Sequence, residues 1–250
     1  MTASSEHASG PTPGAERPRF PGFDVVDNVD AWDPVTAGVV LSRLGPLPPL
    51  RFFPEDLEAT ARGLFDLILD QHDEPRVPVF EMVDQRLAEL STDGWRYDDL
   101  PPDPDAWLRT LAALDEDANT RHATSFALCT LDEQATLLQA VLDLGDQKWH
   151  GMRADRVWSL WSRYACTAYY SHPWSWNEIG FPGPAYPRGY KNTGVNRREP
   201  FEVEDRRPNQ ERTAADDRLG QPSGHEPANH RSADPAAGSP GPSHTLRRSQ

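Results

Sequence analysis

The chain has 250 residues, of which 37% are hydrophobic and 26% charged, with 25 Pro, 17 Gly and 8 Trp. That composition excludes a collagen, a coiled coil, a disulfide scaffold and a membrane channel, and the length suits one or two domains. With 25 basic and 39 acidic residues the net charge is −14, which argues against nucleic acid and anionic membrane surfaces as partners, because like charges repel.

Residues 1–19 are rich in Ser, Pro, Gly and Ala, with no large apolar residue after Met1. A disordered segment is expected there. Residues 20–53 read as a mixed leader. Phe23, Val25, Val26 and Val29 suit a short strand or an extended N-terminal arm. Trp32-Asp33-Pro34 is a turn, since the residue before proline avoids the helical region. Asp30 or Asp33 can cap a short helix through Val39–Arg43, which Gly45-Pro46 and Pro48-Pro49 stop.

From Pro54 the pattern is helical. Pro54 opens a helix whose first turn holds Glu55 and Asp56, and Leu57, Ala61, Leu64, Phe65 and Ile68 form its apolar face. Pro75 and Pro78 separate it from a second helix faced by Val79, Met82, Val83, Leu87 and Leu90. Gly94 and Pro101-Pro102 mark a loop, and Asp103-Pro104 opens a third helix with Trp107, Leu108, Leu111 and Leu114. Thr130 and Glu133 form a capping box ahead of Leu131, Ala135, Leu138, Val141 and Leu142, and Gly145 ends that helix. The last helix, about Ala154 to Tyr170, carries Val157, Trp161, Tyr164 and Ala168 on one face with Trp158, Ala165 and Tyr169 beside them. So wide an aromatic stripe is buried on more than one side, as in the central helix of a bundle. No run has the alternation of a buried strand. The expected fold class is all-α: a small helical bundle over residues 20–190 with an extended N-terminal arm, an aromatic Pro/Gly-rich strap after the last helix, and a disordered tail from 191 to 250.

No GxGxxG, P-loop, GxSxG or HExxH motif is present, so the residues point to no catalytic, cofactor-binding or metal site. His72, His122, His150 and His172 show no i, i+3 or i, i+4 pairing, and His72-Asp73-Glu74 reads as a solvated helix end. Cys129 and Cys166 read as small core residues in no CxxC pair. Neither a spanning segment nor a signal peptide precedes the helices, so a cytoplasmic location is expected, or a periplasmic one if a signal-bearing partner exports the chain.

The informative segment runs from Tyr169 to Tyr190, YYSHPWSWNEIGFPGPAYPRGY. Its prolines and glycines exclude periodic structure, and its rings are too dense all to be solvated. Trp174, Trp176, Phe181, Tyr186 and Tyr190 either strap the bundle or contact another chain, since Tyr and Trp are favoured interface anchors. Trp158 and Trp161 build the core beneath them.

Two stretches carry a family resemblance. Pro54-Glu55, Asp73-Glu74-Pro75 and Val83-Asp84 resemble the opening of the gluconate 2-dehydrogenase subunit 3 family. Tyr170-Ser171-His172-Pro173, followed by Ile179-Gly180-Phe181-Pro182-Gly183-Pro184-Ala185-Tyr186, is similar to its terminal signature. The chain departs from that pattern at His172, where an acidic or amide residue is more usual before proline. Trp174-Ser175-Trp176-Asn177 also replaces a Gly-Gly-Asn stretch. The resemblance implies a non-catalytic small subunit that binds and stabilises a flavoprotein dehydrogenase large subunit of the glucose-methanol-choline oxidoreductase type. The FAD would be held by that partner, which oxidises a sugar or sugar acid, and no cofactor by this chain. Rival readings are a stand-alone enzyme, with His172 as acid or base in a cleft lined by Tyr169 and Tyr170, and a carbohydrate-binding module using the Trp rings.

Overall fold

The computed structural model describes residues 20–204 apart from Pro21 and Asp73; the expected disordered segment 1–19, and residues 205–250 of the disordered tail expected over 191–250, lie outside the described residues. In chain order these form a 3-10 segment (Val25–Ala31), α1 (Pro34–Ser42), α2 (Glu55–Leu69), α3 (Val79–Ala88), α4 (Asp103–His122) and a 3-10 turn (Phe126–Leu128). There follow α5 (Leu131–Asp143), the strands β1 (Lys148–Trp149) and β2 (Met152–Arg153), α6 (Ala154–Tyr169) and α7 (Pro173–Ile179).

The architecture is all-α. The one sheet among the described residues is a hairpin pairing Trp149 with Met152. Its turn, His150-Gly151, has φ of 46° and 82°, and two successive positive φ values make the tight turn that suits strand twist. Two-residue strands are too short to show a period in sequence.

Helix α6 is the centre of the bundle, packing against α2, α3, α4 and α5. Its stripe of Val157, Leu160, Trp161, Tyr164 and Ala165 is buried. Trp107 of α4 sits among Phe65, Phe53 and Tyr164, with ring centroids 5.2, 6.0 and 5.6 Å away. Several polar side chains of this core are paired, whereas the buried Trp107 Nε1 has no hydrogen-bond partner among the described residues. Trp161 Nε1 donates to Thr110 Oγ1 at 3.0 Å, and the Tyr164 hydroxyl donates to Asp103 at 2.7 Å. Burial, followed by that carboxylate, pushes the Tyr164 phenol well above its ordinary range. Asp115 accepts from Thr60 Oγ1 and the Phe126 amide, both at 2.8 Å, which fixes the 3-10 turn on α2 and α4. The Thr130–Glu133 capping box is present on α5. Cys129 and Cys166 are free thiols, Cys129 buried.

Three sequence expectations need correction. First, the N-terminal arm is not extended. Asp24 caps the 3-10 segment by accepting from the Val26 amide, and Asp33 caps α1 by accepting from Val35 and Thr36. Valines that favour a strand turn helical here because Val25 and Val40 bury beside Trp32 and Trp176 in a second, smaller cluster. Second, the strap contains a helix, α7, with Pro173 at its first turn, where a missing N–H costs nothing. Third, part of the stretch assigned to the disordered tail is packed. Glu199 is buried and accepts from the Lys191 and Asn192 amides, and Phe201 lies under the Arg188 guanidinium at 3.7 Å.

Gly183 shows how closely the strap lies on the N-terminal segment. It has φ of +81°, and a Cβ there would overlap the Trp32 indole. Gly183→Ala is therefore expected to lose about 2–4 kcal/mol, from left-handed backbone strain plus overpacking. Thermal unfolding followed by far-UV circular dichroism measures this, and an unchanged midpoint would show that Trp32 moves aside freely.

Candidate functional site

The strap is built on the end of α6. The chain leaves the helix at Tyr169, turns through Tyr170 and Ser171, and re-enters a helix at Pro173. His172 makes that restart possible. It is the N-cap of α7, its Nδ1 accepting from the Trp174 amide at 3.2 Å. Its other ring nitrogen meets the backbone carbonyl of Arg43 at 3.0 Å. One accepting and one donating nitrogen define a neutral imidazole with its proton on Nε2, a tautomer assigned from its partners. His172 is 1% exposed. Burial, with the nearby Arg43 guanidinium adding to it, pushes its pKa down to about 4.

Arg43 completes the clasp. Its Nη1 donates to the Ser171 carbonyl at 2.5 Å, and its guanidinium lies 5.9 Å from the Trp176 ring centroid. On the far side of α7, Asn177 accepts from the Val25 amide at 2.7 Å and donates to Asp24 at 3.1 Å. Arg188 then ties the strap to Asn28 at 3.1 Å and to the Pro182 carbonyl at 2.6 Å. The N-terminal segment and the strap thus form one layer, closed by polar contacts that span more than a hundred residues of sequence.

Within that layer the five residues expected at a partner surface separate. Tyr186 is 70% exposed, Tyr190 50% and Phe181 37%. Trp174 is half-buried against the main core. Trp176 is a correction: it is only 6% exposed, with its Nε1 donating to the Tyr170 carbonyl at 2.7 Å and its ring edge-to-face with Phe181 at 5.3 Å. It supports the surface from below and does not present itself to a partner. Trp161 is fully buried and Trp158 packs beside it, as expected of the core beneath the strap.

The same geometry bears on catalysis. His172 is sealed from solvent with both nitrogens engaged by backbone, so it has no reach to a substrate. Among the described residues no Ser, Thr or Cys side chain is hydrogen-bonded to a histidine, and no group of three His, Cys, Asp or Glu is placed to hold a metal. His72 pairs with Asp70 at 3.2 Å rather than joining a cluster. No described helix is long and apolar enough to cross a membrane.

The model of the gluconate 2-dehydrogenase subunit 3 family matches residues 55–183, just over half of the chain. The chain belongs to that family. No curated protein and no solved structure matches it. The subunit 3 match begins at α2 and ends at Gly183, so it takes in the bundle, His172 and α7. It leaves out the N-terminal segment and the outer strap.

The cap position accounts for a polar side chain at His172. Acidic and amide residues are the preferred helix caps, and the position before Pro173 is a cap. Histidine does the same work through Nδ1 and adds a second bond, to Arg43, that a shorter side chain cannot reach. Sequence reading did not foresee Arg43, Asn177 or the role of Asp84. Asp84 left a signal: it is a carboxylate on the apolar stripe of α3, four residues after Phe80 and three before Leu87, all of them buried.

Proposed function

We propose that this chain is a non-catalytic small subunit that binds and stabilises the large subunit of a flavin-dependent sugar or sugar-acid dehydrogenase, with the FAD held by that partner. The family match over residues 55–183 carries the reading, since a subunit 3 belongs to a multi-subunit dehydrogenase. The exposed Tyr186, Tyr190 and Phe181 rings support it, because large aromatic side chains on a Pro-stiffened support are efficient interface anchors. The stand-alone enzyme reading loses its named acid–base group with the burial of His172.

Co-expression with a candidate flavoprotein of the same genome, followed by size exclusion read at the flavin band, tests the proposal. A yellow peak containing this chain is the expected result. A colourless separate peak beside a fully active flavoprotein would overturn it. In such a complex Phe181→Ala with Tyr186→Ala is expected to weaken pull-down about tenfold or more while the helical circular dichroism persists. Undiminished pull-down would remove the strap from the interface.

A further inference from the structure

Helix α3 ends on an exposed leucine where glycine would fit at least cost. Leu90 follows the C-cap Glu89 with φ of 53°, in the left-handed region, and is 70% exposed. Further along the same loop, Trp95 is 51% exposed. The loop that carries both is fastened to the bundle. Asp93 pairs with Arg86 of α3 and with Arg163 of α6. Arg86 Nε also donates to the Ser91 carbonyl at 2.8 Å. The Arg163 guanidinium lies 4.9 Å from the Trp95 ring centroid, and the Arg156 guanidinium 3.8 Å from that of Tyr97. Trp95 is therefore held by a cation on one face while half of the residue stays open.

Leu90 and Trp95 line one cavity with Pro102 and Pro104 at the start of α4, and its volume is about 450 Å³. That size falls in the range of small-molecule sites. Two charged side chains share the lining, Arg96 and Asp103. Arg96 Nη1 donates to the Leu100 carbonyl at 2.6 Å, which sets its guanidinium in place. Asp103 is 4% exposed. Its Oδ2 accepts from the Tyr164 hydroxyl at 2.7 Å and lies 3.5 Å from Arg163 Nη2, whereas its Oδ1 takes no hydrogen bond among the described residues. The carboxylate is anchored through one oxygen and has the other left to accept.

We propose that this cavity binds a monosaccharide, best as a sugar acid, with the ring's apolar face on Trp95 and Leu90, its hydroxyls donating to Asp103, and its carboxylate on Arg96. The site stands apart from the subunit reading, because every group in it belongs to this chain. A sugar ring carries polarised C–H groups on one face and hydroxyl donors around its edge. The negative face of an indole attracts the first, and a fixed carboxylate accepts charge-assisted bonds from the second. Other occupants fit less well. An apolar side chain of a partner would cover Asp103 Oδ1 without offering a donor, which costs free energy. A cation would meet Arg96 and Arg163 beside that carboxylate.

The test is titration of the full chain with D-glucuronate and D-glucose, followed by NMR of the tryptophan indole N–H groups. The signal that Trp95→Ala removes belongs to Trp95. At the ordinary yield per heavy atom, a ligand of about a dozen atoms binds at ~1 mM, the constant expected for glucuronate. Glucose, which lacks the carboxylate, is expected to bind about fivefold more weakly. Trp95→Ala is expected to weaken both at least about tenfold, read from the ligand signals. Arg96→Met is expected to bring glucuronate to the level of glucose and to leave glucose unchanged. Far-UV circular dichroism unchanged from wild type shows that both variants are folded. Neither sugar moving the Trp95 signal up to ~50 mM overturns the proposal, and so does binding that Trp95→Ala leaves intact. Benzoate binding as tightly as glucuronate overturns the recognition of hydroxyls by Asp103 and assigns the cavity to aromatic acids. Tighter binding of N-acetylarginine amide than of either sugar assigns it to a cationic side chain, and also overturns the proposal.

Discussion

Replacing Asp84 with alanine is expected to destabilise the protein by about 3–5 kcal/mol. Asp84 is 1% exposed. One carboxylate oxygen accepts from the Phe52 and Phe53 amides, both at 2.9 Å, and the other from the Arg51 amide at 2.8 Å. Those three amides belong to the chain entering α2, and no helix or strand supplies acceptors for them. Removing the carboxylate leaves three donors with no partner, and that of Phe53 is buried, where water does not replace the lost bond. It also frees Phe53, which stacks on Phe80 at 5.2 Å and walls the Trp107 pocket. Asp84→Asn keeps the volume but turns a donor toward donors, so it is expected to lose nearly as much as alanine. Urea unfolding followed by far-UV circular dichroism measures both. A wild-type midpoint for either variant would mean that these bonds do not hold the entry to α2.

Acid is expected to loosen the N-terminal segment before the bundle. The native His172 imidazole is held neutral down to about pH 4 by burial, whereas an unfolded histidine takes up a proton near its ordinary pKa of 6.5. Between those values the unfolded chain binds more protons than the folded one, so stability rises with pH. The contribution is complete above pH 6.5 and is lost as pH falls toward 4. It amounts to about 3 kcal/mol, from the separation of the two pKa values. Protonation removes one bond and adds a repulsion: Nδ1 ceases to accept from Trp174, and a cation arises beside the Arg43 guanidinium, while Nε2 goes on donating to the Arg43 carbonyl. His172→Asn keeps a cap for α7 and removes the titration. The expected result is a wild-type stability that falls between pH 6.5 and 4 more steeply than the variant's, with Trp fluorescence reporting exposure of Trp176. Parallel pH curves for the two proteins would refute this role for His172.

Much of the bundle was legible in the sequence. Apolar spacing placed α2 to α6 because each helix hides one stripe, and a stripe is a local pattern. The capping box at Thr130 and Glu133, the cap at Asp33 and the openings at Pro54, Pro78 and Asp103 were equally local. The family could be recognised too, because its signature residues lie at cap and turn positions that the backbone itself demands. Strand-favouring valines misled at Val25–Val29, where burial against Trp32 and Trp176 overrides an intrinsic preference. Proline spacing misled at Pro173, which opens a helix rather than preventing one.

The surface could not be read from the chain. Sequence presented Trp174, Trp176, Phe181, Tyr186 and Tyr190 as equivalent rings, and only packing divides them into support and contact. The division depends on Arg43, Asn28 and Asp24, which reach the strap from more than a hundred residues away. Composition and periodicity determined a helical, acidic protein, because helix faces and caps are written within a few residues, and the family showed only in the resemblance of short motifs such as Ile179–Tyr186. Tertiary structure alone decided that Asp84 and His172 are buried ties and that the N-terminal segment packs on α7 and the strap, because those facts arise from contacts between segments that carry no local sign of one another.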